Sequence, residues 1–111
     1  MLYVKRDGSI ELTRGDTARF TVDIIDDESQ VYTMRSEDEL VFTVKDDIDD
    51  IEPVIQKIVT GDNMIHIKPE DTSGLDFGNY IYDVELRMEN GDVYTIIEKN
   101  TFKLREEVTT R

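Results

Sequence analysis

His66 is the chain's one histidine, and it stands in Met64-Ile65-His66-Ile67-Lys68, an alternating stretch that reads as a strand. Zinc chemistry needs several nitrogen or sulfur ligands. With no cysteine and no second histidine, that ligand set is missing. The serines Ser9, Ser29, Ser36 and Ser73 could pair with His66 as nucleophiles, but none sits in a strand-turn-helix elbow. The run Asp46-Asp47-Ile48-Asp49-Asp50-Ile51-Glu52 offers oxygen ligands of the kind calcium takes. Asp46, Asp47, Asp49 and Asp50 are thus the metal candidates. The run lacks the D-x-D-x-D-G order with a glutamate at position twelve. The plainer expectation is a solvated loop whose charge discourages edge-to-edge strand pairing. Carboxylate pairs for hydrolysis are formally present, yet no pair stands out from the acidic background. The tyrosines Tyr3, Tyr32, Tyr80, Tyr82 and Tyr94 could stack on sugars, with Tyr32 and Tyr94 the expected exposed pair. The expectation is a chain with no catalytic residue, no cofactor and no resident metal.

Charge narrows the partners. The 111 residues carry a net charge of −13, and a phosphate backbone needs a basic surface. Nucleic acid is therefore not an expected partner, and neither is an anionic membrane. Residues 26–52 hold eleven acids against Arg35 and Lys45, so they carry −9 of that total, while the first 25 residues balance to zero. One acidic lobe beside a nearly neutral remainder follows. Hydrophobic residues make up 38% of the chain, enough for the core of one modest domain spanning residues 1–111. The start, Met1-Leu2-Tyr3-Val4-Lys5-Arg6-Asp7, has no apolar signal core. No apolar run approaches the ~18 residues of a spanning helix.

The elements that must position these groups are strands. Phe20, Val22 and Ile24 alternate with Arg19, Thr21 and Asp23. Leu40, Phe42 and Val44 alternate with Val41, Thr43 and Lys45, and Tyr80, Tyr82, Val84, Leu86 and Met88 form a longer alternating run. Period-two patterning with one apolar face marks antiparallel sheet. Val93, Thr95 and Ile97 follow, then Phe102 and Leu104, for about nine short strands at the spacing of a sandwich. Asn90-Gly91 predicts a hairpin. Gly61-Asp62-Asn63 predicts a second one, between residues 54–59 and 64–68, and Lys99-Asn100 predicts a third turn. Val31-Tyr32-Thr33 and Val93-Tyr94-Thr95 echo each other after acidic turns and predict two hairpins built alike. Pro69-Glu70-Asp71-Thr72-Ser73-Gly74 has proline first, acids in the first turn and glycine at the exit, which predicts one helical turn. The tail, residues 106–111, predicts a fraying strand end or a cut linker.

Asp76-Phe77-Gly78-Asn79-Tyr80-Ile81-Tyr82 is the most informative stretch. D-x-G-x-Y ahead of an alternating run is the pattern of the corner that leads into strand F of an immunoglobulin-like sandwich. Asp76, Gly78 and Tyr80 would form that corner, the Tyr80 hydroxyl bonding back to upstream backbone. Tyr82 falls where antibody domains place their second cysteine. The fold class predicted is all-β, an immunoglobulin-like antiparallel β-sandwich with one short helical turn before strand F.

Gly15-Asp16-Thr17, the following Phe20-Thr21-Val22 and the later Val41-Phe42-Thr43-Val44-Lys45 together resemble the start of phage baseplate upper proteins and related small prophage proteins. The likeness continues through Ile67-Lys68-Pro69-Glu70-Asp71-Thr72 and residues 78–86, then Asn90-Gly91, residues 94–97 and Phe102. It covers nearly the whole chain, through the order and spacing of motifs that are individually common. The resemblance implies an immunoglobulin-like connector of the tail or baseplate, assembled in the bacterial cytoplasm and carried in the virion. It implies other tail proteins as partners, with self-association as a further partner class. Longer family members carry a coiled coil and a receptor-binding part after this module, and a chain ending at Arg111 corresponds to the module alone. The family supplies no catalytic residue.

The function expected is noncatalytic assembly. The alternative is a carbohydrate- or surface-binding module of a bacterium, which needs an aromatic groove near Tyr32 or Tyr94. A third, a hydrolase accessory domain, needs a cleft with convergent carboxylates. The docking surfaces expected for assembly are residues 2–4 and residues 101–104, both outside the acidic lobe.

Overall fold

The computed structural model describes residues 8–26 and 28–109, and the backbone alone of residues 2–4. The expectations that touch Met1, residues 5–7, Asp27 and residues 110–111 lie outside the described residues. The elements in chain order are β1 (Leu2–Val4), β2 (Ile10–Thr13), β3 (Ala18–Thr21), β4 (Glu39–Lys45), β5 (Ile55–Thr60), β6 (Met64–Ile67), α1 (Pro69–Thr72), β7 (Gly78–Arg87) and β8 (Val93–Arg105). The fold is all-β. A six-stranded sheet runs β1-β2-β8-β7-β4-β5, and β3 and β6 form a second sheet across the core.

Alternation decides what is buried. On β4 the side chains of Leu40, Phe42 and Val44 are buried, as are Tyr80, Tyr82, Val84 and Leu86 on β7. Phe102 and Leu104 on β8 and Ile10 and Leu12 on β2 continue that face, and Ala18, Ile65 and Ile67 close it from the small sheet. Phe42 is the centre. Its ring lies 5.6 Å from Phe20 edge-on, 5.5 Å from Tyr82 and 6.2 Å from Phe102. Tilted contacts at these separations add to area burial because ring edges and faces carry opposite partial charge.

Strand direction and sheet membership depart from the alternation pattern in four places. First, β2 lies parallel to β8, with Ile10 beside Phe102 and Leu12 beside Leu104, so the large sheet is mixed rather than antiparallel. The chain then leaves that sheet at Arg14-Gly15 and enters the other one at β3, so β2 never pairs with β3. Second, β5 and β6 do not form the expected hairpin at Gly61-Asp62-Asn63. β5 pairs with β4 and β6 with β3, so this turn carries the chain from one sheet to the other. Third, Lys99-Asn100 is no turn: it lies inside β8, where the register shifts against Tyr82 and Val84 mark bulges. Fourth, residues 31–33 form no strand, only an isolated bridge between Ile25 and Val31. Among the described residues the strands therefore number eight, not about nine.

The hairpin at Asn90-Gly91 forms as expected between β7 and β8. Met88 N–H donates to Asp92 O at 2.8 Å, Gly91 N–H donates to Met88 O at 2.9 Å, and Gly91 has φ +95°. That is a type I turn closed by a glycine in the left-handed region, a three-residue loop. The helical turn forms at α1, where the Asp71 carboxylate accepts the Lys68 N–H at 2.7 Å.

The corner also forms. The Tyr80 hydroxyl donates to Asp76 O at 2.6 Å, and Gly78 between them has φ +146°, a backbone state that side-chain-bearing residues rarely adopt. Burial, with the nearby charges of Asp46 and Asp76, holds the Tyr80 hydroxyl above its ordinary pKa, so it remains a donor. Tyr80→Phe should cost about 1 kcal/mol, the net worth of one such hydrogen bond. Urea denaturation measures it, and an unchanged midpoint would count against the corner as a structural tie.

Candidate functional site

Asp38 is the feature that composition hid. It sits at the foot of β4, just before the buried strand, and its side chain is fully buried. A buried carboxylate is costly unless donors surround it. Asp38 has three. The Tyr32 hydroxyl and the Arg35 N–H (3.0 Å) donate to Oδ2, and the Glu89 N–H donates to Oδ1 at 3.1 Å. Its backbone takes part as well: Asp38 N–H donates to Arg35 O at 3.1 Å, and Gly61 N–H donates to Asp38 O at 2.8 Å. One residue thus joins the loop before β4, the β5–β6 crossing and the β7–β8 hairpin. The Tyr32 hydrogen bond, helped by the two backbone N–H groups, holds the Asp38 carboxyl below its usual range despite burial. The same bond raises the Tyr32 hydroxyl above its ordinary value. Both shifts say that carboxylate and phenol are the stable pair.

Tyr32 and Tyr94 do converge. They line one open groove of about 480 Å³ between residues 23–26 and the first part of β8. Ile24 and Leu86 lie at its base, with Met88 and Ile96 beside them, and Asp23 and Asp26 are also in its lining. Ile24 and Leu86 are core residues, so the groove opens onto the interior between the two sheets. Tyr32 is half-buried with its hydroxyl held by Asp38, while Tyr94 is half-exposed.

A second hollow, about 330 Å³, lies on the outer face of β4, β5 and β7. Thr43, Lys45, Asp83, Glu85 and Lys99 border it, and Ile48 and Ile51 overhang it from the acidic loop. Burial, then the neighbouring Glu85 charge, raises the Asp83 carboxyl above its usual range, against Lys45. Asp83 and Glu85 occupy alternate positions on one strand and face the same way. Carboxylates that cleave a glycosidic bond flank it from two sides, which this pair cannot do.

The acidic loop folds on itself. Asp47 N–H donates to the Asp50 carboxylate at 3.1 Å, Asp49 N–H to the Asp47 carboxylate at 3.0 Å, and Asp50 N–H to Asp47 O at 3.0 Å. Asp46, Asp47, Asp49 and Asp50 are exposed. Among the described residues, no three acidic, histidine or cysteine side chains converge as a metal cage. His66 lies on β6 opposite Arg19, half-buried, apart from the acidic loop in sequence and sheet. Of the expected docking segments, residues 101–104 lie inside the large sheet, paired with β7 throughout and with β2 from Phe102 onward, and Phe102 and Leu104 are buried. They offer no free edge. Residues 2–4 form β1, the outermost strand beyond β2. No helix among the described residues is long and apolar enough to cross a membrane.

No protein-family model matches the chain, and no curated protein does so either.

Two outcomes follow. Asp38→Asn should cost about 1–3 kcal/mol near neutral pH, because a weaker acceptor faces three buried donors. Asp38 has a lowered folded-state pKa, so its contribution is complete above about pH 4 and is lost as pH falls through the folded value. Urea melts at pH 7 and pH 3 should therefore separate wild type from Asp38→Asn at the higher pH and narrow the gap at the lower. An equal gap at both pH values would remove the charge from the account. The acidic loop should respond to ionic strength alone: calcium at millimolar concentration should raise the melting temperature no more than sodium chloride at matched ionic strength.

Proposed function

We propose that this chain is a noncatalytic assembly module of a phage or prophage tail, docking onto other tail or baseplate proteins. The observation that carries the reading is a concentration of exposed apolar side chains at one margin of the sandwich. Ile25 is 55% exposed, Val31 72% and Tyr94 52%, on a chain whose net charge is −13. Ile25 and Val31 bridge each other, and Ile25 and Tyr94 line the same groove. Exposed apolar surface rimmed by polar groups marks a place where a protein meets another. The order and spacing of motifs from Gly15-Asp16-Thr17 to Phe102 supports a tail connector as the setting. In that setting the chain works in the virion, and the acidic lobe faces solvent or a basic patch on a neighbour.

A second reading, a carbohydrate- or surface-binding module of a bacterium, draws support from Tyr32 and Tyr94 sharing a groove. It is the weaker fit to the site, since the Tyr32 hydroxyl is already bound to Asp38. A pull-down with the tagged chain, from a lysate of its source bacterium after prophage induction, separates the two. Recovery of tail or baseplate proteins, identified by mass spectrometry, is the expected outcome. Reproducible retention on polysaccharide alone would favour the second reading.

A further inference from the structure

The small sheet has an unused edge, and its peptide groups can be assigned one by one. Val22 N–H donates to Asn63 O at 2.9 Å, and Asn63 Nδ2 donates to Val22 O at 3.0 Å. Backbone groups two residues apart in a strand point the same way. Ala18 and Phe20 therefore pair toward β6, as their register with Ile67 and Ile65 requires. Beyond β3 the pattern persists: Tyr32 N–H donates to Ile24 O at 2.8 Å and Asp26 N–H to Gln30 O at 2.9 Å. The even positions from 18 to 26 are thus committed to one side. Arg19, Thr21, Asp23 and Ile25 turn their N–H and C=O groups to the other. Among the described residues no strand lies there, and no backbone hydrogen bond engages these groups.

This edge borders the groove at Tyr94. The groove runs down to Ile24 and Leu86, so a strand laid against β3 would point alternate side chains onto the existing core. The other margin of the groove is less suited to receive a strand. β8 carries its register shifts close by, and bulges disrupt a ladder. The β3 side has regular register through all four of its pairs.

We propose that the outer edge of residues 19–25 is a strand-acceptor site for an extended segment of another protein, one in which apolar side chains alternate with lysine or arginine. The inference rests on the assembly reading above and gives the chemistry of the partner. Backbone hydrogen bonds supply the docking, and the groove receives the apolar positions. Charge selects the rest. Asp23 and Asp26 line the groove with no basic residue in its lining, and two copies each carrying −13 repel. Arg19 stands at the other end of the edge, outside that lining, so the basic positions belong opposite Asp23, where lysine or arginine would meet its carboxylate across the new ladder.

Amide exchange followed by NMR on the full chain tests this. The probe is a synthetic peptide of about nine residues, a usual strand length, alternating valine with lysine. Its control alternates valine with glutamate. The lysine peptide should slow exchange at the Thr21, Asp23 and Ile25 amides by about tenfold or more, and the glutamate peptide should not. Asp23→Lys, at an exposed position whose side chain has no hydrogen bond among the described residues, should weaken the lysine peptide's protection and strengthen that of the control. Equal protection by both peptides, or protection at β1 or β5 instead, would overturn the site. Protection that appears without peptide as protein concentration rises would assign the edge to a second copy and overturn the basic partner. If Asp23→Lys recovers tail proteins as well as wild type does, the acceptor site is wrong while the assembly reading stands. If wild type recovers none but the peptide result holds, the acceptor site stands and the tail setting is wrong.

Discussion

A fully buried carboxylate fixes one end of this sandwich. Asp38 is the first residue before β4, and β4 holds Phe42, the ring around which the core aromatics gather. The loop from Tyr32 to Arg35, the crossing at Gly61 and the hairpin at Glu89 all bind the same residue. These loops set only single side chains, Tyr32, Met34 and Met88, against the core. Their order depends on satisfying one charge that has no access to water. A missing donor there leaves an uncompensated charge rather than one fewer contact, which is why such a node is all-or-none.

The other end is tied by different means. Arg14 donates to the Glu107 carboxylate at 2.7 Å and to Leu75 O at 2.9 Å, and its guanidinium stands 5.9 Å from the centre of the Phe77 ring. The Glu107 hydrogen bond raises the Arg14 pKa further, so this cation is permanent. Next to it, Gly15 N–H donates to the buried Thr72 hydroxyl at 2.8 Å. Lys57 on β5 reaches Asp71 on α1 at 2.7 Å; burial pushes the Asp71 carboxyl up, but Lys57 and the Lys68 N–H outweigh it and hold it below its usual range. These contacts hold α1 and the approach to the Tyr80 corner against β2 and β5. Sheet-crossing segments at both ends are therefore fastened by polar groups, while the strands between them are held by apolar burial.

That division explains what could be read from the sequence. Alternation marks the strands and their inward faces, because burial acts residue by residue: Leu40, Phe42, Val44, Tyr80, Tyr82, Val84 and Leu86 all face the core as the pattern requires. The corner was legible because φ +146° at Gly78 and a hydroxyl four residues from its acceptor leave local marks. Direction and sheet membership leave none. Ile10 and Leu12 would bury equally well beside β8 in either direction, and Gly61-Asp62-Asn63 is as good a hairpin turn as a crossing. What decides the crossing is Gly61 bonding to Asp38, a contact between loops 23 positions apart. Asp38 itself is one of eleven acids in residues 26–52. Its only local signal was its place against the first buried residue of β4, and the partner at Glu89 lies 51 positions away.

The two sheets differ in how completely they are closed, and this difference sets where a partner can enter. In the large sheet, β8 pairs with β7 along nearly its whole length and with β2 over Phe102–Arg105, and the apolar face around Phe102 and Leu104 is covered. The small sheet spans the same core with β3 and β6 alone among the described residues. Two short strands cannot roof a face six strands wide, so the residues after β3 and before β4 must close the gap. They do so through Ile24 and Tyr32 at the Asp38 node, and they stop short at Ile25, where the interior between the sheets reaches the surface. Closing that margin with more apolar chain would stabilise the isolated fold. Leaving it open keeps the peptide groups of Arg19, Thr21, Asp23 and Ile25 turned outward beside an apolar groove, and it is on that unpaired edge that the proposed docking of a basic strand rests.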